Sequence, residues 1–111
     1  MNTKQMQHRW RAQLTIFSEE NLGRPTRLGV FEPATEGMMD YWLENGLALR
    51  EVVLEEHNGS RSIEIILDGF THTIRQAKRL ELLFGDEPED GLNVIDAYGR
   101  TSVLRFEENG N

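Results

Sequence analysis

The feature that most constrains this chain is a change of period at Pro25. Before it, Met6, Trp10, Leu14 and Phe17 recur at helical spacing, which predicts an amphipathic helix over residues 3–20 with one apolar stripe. Gly23 and Pro25 then stop that helix, because one tolerates a left-handed backbone and the other cannot continue the hydrogen-bond ladder. After Pro25 the apolar residues alternate and turn dipeptides arrive at short intervals, the signature of antiparallel strands. Strands are predicted over residues 26–32, 49–55, 62–67, 70–75, 79–84, 92–97 and 101–106. Asn58-Gly59 and Asp68-Gly69 supply the positive φ angles that tight hairpins need.

Residues 35–46 admit two descriptions. Thr35 caps a short helix that Gly46 ends, or residues 39–44 and 47–55 form a hairpin closed by Asn45-Gly46. The hairpin is preferred, because aromatic and branched residues dominate the stretch. Short connections imply that sequential neighbours pair as a meander. The expectation is therefore an α+β fold: one N-terminal helix, its Met6, Trp10, Leu14, Phe17 stripe packed on an antiparallel meander of six or seven strands, with residues 107–111 as a frayed tail. The 111 residues suit a single domain.

Composition narrows the function classes. The chain holds no cysteine, so thiolate chemistry, disulfides and cysteine-ligated metals are excluded, and a reducing, cytoplasmic setting is expected. No signal peptide or apolar run of membrane-spanning length is evident. Nineteen acidic residues against twelve basic ones give a net charge of −7, which argues against a generic nucleic-acid surface. The basic residues Lys4, Arg9, Arg11, Arg24 and Arg27 concentrate in the first thirty positions, where docking against an acidic body explains them better than a polyanion site.

Catalytic signatures are missing. His8 has no second histidine one turn on, and His57 abuts a turn. The serines lie outside any Gly-x-Ser-x-Gly elbow, and no phosphate-binding glycine pattern occurs. The loop of Asp86, Glu87, Glu89 and Asp90 lacks calcium-loop spacing and is read as solvated. No metal, cofactor or catalytic residue is assigned.

His72 is different, because alternation places it with Phe70 and Ile74 on an apolar face. A satisfied core or edge histidine accounts for that, and so does a ligand contact. Tyr41, Trp42 and Tyr98 are the spare aromatics: neighbours on a strand face opposite ways, so Tyr41 and Trp42 cannot both enter one core. The candidate binding residues are therefore Tyr41, Trp42, His72 and Tyr98.

Residues 40–47, 70–74, 91–99 and 103–106, together with the helix from Trp10 to Phe17, resemble a family of small bacterial proteins known only as a domain of unknown function. The resemblance implies a cytosolic helix-plus-sheet domain and carries no activity onto any residue here. The favoured function is a non-enzymatic module that binds a protein partner or a copy of itself as a homo-oligomer. The alternative is a small-ligand or enzymatic site between helix and sheet, around His72, Tyr41 and Trp42.

Overall fold

A 21-residue strand organises the molecule. The computed structural model describes residues 3–34, 37–83 and 90–107, with side chains at 9–32, 43–83 and 90–107. One helix, α1 (Thr3–Asn21), precedes seven strands: β1 (Pro25–Ala34), β2 (Gly37–His57), β3 (Ser60–Leu67), β4 (Phe70–Ile74), β5 (Ala77–Leu83), β6 (Gly91–Asp96) and β7 (Thr101–Phe106). All pairings are antiparallel, in the order β4-β3-β2-β1-β7-β6-β5. The chain is thus mostly sheet.

The sheet departs from a simple meander in two ways. Strands β1 to β4 and β5 to β7 each run as a meander, but β1 joins the halves by pairing with β7, Leu28 opposite Leu104 and Val30 opposite Ser102. The outermost strands, β4 and β5, are also linked by only Arg75 and Gln76. Edges that close together in sequence must lie close in space, so the sheet curls and brings its two wings face to face.

Residues 37–46 correct the sequence expectation: they form neither a helix nor a hairpin with 47–55, but the first half of β2. The reason lies in the register. Between Pro25↔Ala48 and Arg27↔Asn45 the two residues Gly46 and Leu47 of β2 oppose Thr26 of β1, so the glycine of Asn45-Gly46 enters a bulge, at φ 95°, and not a turn. The Thr26 hydroxyl, fully buried, donates to Leu47 O at 2.7 Å and fastens the bulge. Further extra residues occur at Leu43, opposite β1, and at Arg50, opposite β3. Each bulge bends and twists the strand, and together they let β2 pair with β1 through Ala48 and with β3 from Leu49 onward.

That handover leaves the second half of β2 without a ladder partner on its outer edge, and α1 supplies one. Leu49 exchanges backbone bonds with the segment after the helix, Gly23 N to Leu49 O at 2.8 Å and Leu49 N to Arg24 O at 3.0 Å. Next along, the Ser18 hydroxyl accepts from Val52 N at 2.9 Å and donates to Leu14 O at 2.7 Å. Arg11 Nη1 reaches Leu54 O at 3.3 Å. A sheet edge is thereby covered by helix side chains.

Between the wings lies the core: Trp10, Leu14 and Phe17 from α1 with Leu28, Leu49, Val52, Leu54, Ile63, Ile65, Leu67, Leu92, Val94, Leu104 and Phe106. Phe17 meets Phe106 with centroids 5.7 Å apart, and Arg61 caps the Trp10 ring at 4.5 Å. Two of the basic N-terminal residues make contacts within the fold, Arg11 with the backbone carbonyl of Leu54 and Arg24 with Phe106 and Asp90. The side chain of Met6 and the acidic residues Asp86, Glu87 and Glu89 lie outside the described residues. Among those described, no helix is long and apolar enough to cross a membrane.

Replacing Ser18 by Ala strands the buried Val52 N–H and is expected to destabilise the fold by about 1–3 kcal/mol. Thr15→Ala, at an exposed hydroxyl that bonds only Arg11 O within its own helix, is expected to stay within about 0.5 kcal/mol of wild type. Urea midpoints at constant m-value test the contrast; equal effects would mean that Ser18 does not hold the strand edge.

Candidate functional site

His72 sits on β4 opposite Ile65 of β3, and paired residues share a face, so its ring points into the space between the wings. Ser102 enters the same space from β7, in a row with Val30 of β1 and Val94 of β6. The two meet across the interior, His72 Nε2 to Ser102 Oγ at 3.0 Å, with the tautomer deciding which of them donates. The contact joins wings that no ladder connects at this level.

Around this pair opens a cleft of about 230 Å³, lined by Val30, Glu32, His72, Arg75, Asp96, Arg100 and Ser102 with Thr73 and Ile74. Its frame is Asp96, the last residue of β6, whose side chain is 4% exposed. Asp96 Oδ1 accepts from Tyr98 N at 2.8 Å and Arg100 N at 3.0 Å, and Oδ2 accepts from Arg100 Nε at 2.9 Å. Aspartate forms such bonds to amides two residues on, and Gly99 at φ 85° completes the turn into β7. Arg100 is thereby pinned to the wall, its Nη1 3.8 Å from Glu32 and its guanidinium 5.5 Å from the Tyr98 ring.

The pKa of His72 is lowered below the ordinary 6.5, first by burial, which penalises the charged ring, and second by the positive charge of Arg100. The imidazole is therefore held neutral at physiological pH. Asp96 does not complete a catalytic triad: its oxygens serve Arg100 and the turn amides rather than His72. Among the described residues, no group of three histidine or acidic side chains converges on a metal position.

Of the four residues singled out from sequence, the structure places His72 in the cleft wall. Tyr98 is 64% exposed and reaches the cleft only through Arg100. The backbones of Tyr41 and Trp42 lie opposite Val30 and Gly29, while their side chains are outside the described residues. This cleft lies between the two wings of the sheet, and among the described residues none of the helix lines it. The curl that sets β4 against β7 makes this space, while α1 occupies the outer edge of β2.

Sequence reasoning missed Glu32, Arg75, Asp96, Arg100 and Ser102. A signal existed for two of them. Ser102 shares its alternation face with Leu104 and Phe106, and Asp96 shares one with Leu92 and Val94, so each is a polar residue on an apolar face, as His72 is. No family model, curated protein or solved structure matches the chain.

The direction of the His72 shift fixes a pH dependence. An unfolded histidine takes up its proton near 6.5, whereas the folded one resists until lower pH, so the unfolded state binds more protons in that window. Stability is accordingly expected to fall as pH drops below 6.5 and to stop falling on this account once the folded ring is protonated. In His72→Gln this component is absent, so the gap between variant and wild-type melting temperatures should change between about pH 7.5 and about pH 5, which bracket the ordinary histidine value. A constant gap would contradict the assignment.

Proposed function

We propose that this chain is a non-catalytic binding domain that takes a small polar ligand in the cleft between the wings of its curled sheet. The observation that carries the proposal is the His72–Ser102 contact, a neutral hydrogen-bonding pair at the wall of an open cleft with charged groups from three separate segments around it. Few, fixed polar groups converging on a concavity are what ligand orientation requires. The volume, about 230 Å³, falls below the range of roughly 300–1,000 Å³ for drug-sized ligands and points to a small metabolite. Binding is favoured over catalysis because, among the described residues, the hydrogen-bond partner of His72 is Ser102 and not a carboxylate that would orient it as a base. We place the domain in the cytoplasm, on the strength of a chain without cysteine.

The test is a melting-temperature screen of the intact chain against amino acids, organic acids, sugars and nucleosides. A ligand that binds only the folded state stabilises it by about 2.7 kcal/mol at a hundredfold excess over Kd, and it should also move the His72 imidazole resonances in NMR spectra. A flat screen with silent His72 resonances would retire the cleft.

A second reading, contact with a protein partner or a second copy, is supported by the outer edge of the first half of β2, which has no ladder partner among the described residues. Residues 37–46 pair with β1 on one side, whereas pairing with β3 begins only at Leu49. An unpaired strand edge is a template for another strand. Light scattering at high concentration should then show a dimer, and a strict monomer would remove self-association.

A further inference from the structure

Four formal charges line the cleft, and they are not equally available. Asp96 is spent: three hydrogen bonds fill its carboxylate and its side chain is 4% exposed. Arg100 neutralises it, its Nε on Asp96 and its face toward Tyr98, while its Nη1 stands 3.8 Å from Glu32. Beside that neutralised pair stand two further charges. Glu32, on β1, is half-buried, and its one ion pair among the described residues, to Arg100 at 3.8 Å, is beyond hydrogen-bond range, so its oxygens keep their acceptor capacity. Arg75, in the connection from β4 to β5, lines the same cleft and has no ion pair or hydrogen bond among the described residues. The two come from opposite wings, one acceptor-only and negative, the other donor-only and positive.

We propose that the ligand is a small zwitterion of the amino-acid class, its ammonium group received by Glu32 and its carboxylate by Arg75, with the His72–Ser102 pair between them as a neutral hydrogen-bonding wall. The proposal rests on the ligand-cleft function above and adds the ligand's class. Its physical ground is complementarity: a ligand of single charge satisfies one pole and sets the other against a like or unmatched charge, whereas a zwitterion meets both. Arg75 suits the carboxylate end because the guanidinium fork matches a carboxylate with two parallel bonds. The small volume holds the two poles within reach of one small molecule.

Calorimetric titration of the intact chain, with His72 resonances as the reporter of place, decides the matter. The titrants are glycine, alanine and leucine, each beside its N-acetyl derivative, which lacks the cation, and its amide, which lacks the anion. The free amino acid should bind at least about tenfold more tightly than either derivative. Arg75→Gln and Glu32→Gln disturb no short contact and should fold as wild type does. The first should erase the preference for amino acid over amide, and the second the preference for amino acid over N-acetyl derivative. Derivatives that bind as well as the parent, or variants that keep both preferences, would overturn the zwitterion. If an organic acid or a neutral sugar moves the His72 resonances while no amino acid does, the ligand class is wrong and the cleft stands. If nothing in either series moves them, the cleft fails as well.

Discussion

The structure depends on how one strand edge is satisfied. A backbone that leaves one sheet wing to enter another must lose its first neighbour before it is finished, and every buried N–H and C=O on that side then needs a new partner. Here β2 makes that passage, and the partners are side chains of α1 and the backbone just after it. Ser18 matters most, because its hydroxyl accepts from the strand while donating back into its own helix. The apolar stripe places the helix at that edge, and the polar residues beside the stripe fix its register there. Hydrophobic packing without the edge bonds would leave a helix free to slide, and edge bonds without Trp10, Leu14 and Phe17 would leave nothing to hold them dry.

Local features of the fold were legible from sequence and the connections between them less so. Apolar spacing located α1 to within a residue of its end, and dipeptides at Asn58-Gly59 and Asp68-Gly69 marked true turns. Asn45-Gly46 carried the same signal and is no turn. A glycine with positive φ serves a tight turn and a bulge equally well, and what separates them is whether the next strand finds a partner in the preceding residues or elsewhere. Only the pairing of β1 with residues 37–48 settles it, and that partner lies upstream. The same limit applies to the β1–β7 seam, since nothing in the residues 25–34 announces that their second neighbour is at the far end of the chain.

The candidate site divides along similar lines. His72 was visible because a lone polar ring interrupted an apolar face, and the interruption was real. Ser102 and Asp96 interrupt apolar faces in the same manner, yet each is a residue type common enough at strand ends to pass unremarked. Their meaning emerges only when curling brings β4 against β7, a juxtaposition of segments thirty positions apart. Arg75 and Glu32 carried no signal of any kind, because exposed charges at strand ends and connections are ordinary, and only the shared cavity distinguishes them.

The seam between β1 and β7 has a kinetic side. Each half of the sheet consists of strands that follow one another along the chain and can zip by short loops, whereas Thr26 and its partner Phe106 stand near opposite ends of it. Closing that distance loses chain entropy before it gains contacts, which makes docking of the two halves a costlier step than growth of either. The cleft has His72 of β4 and Glu32 of β1 from one half and Asp96, Arg100 and Ser102 from the other, and thus it exists only once the halves have docked.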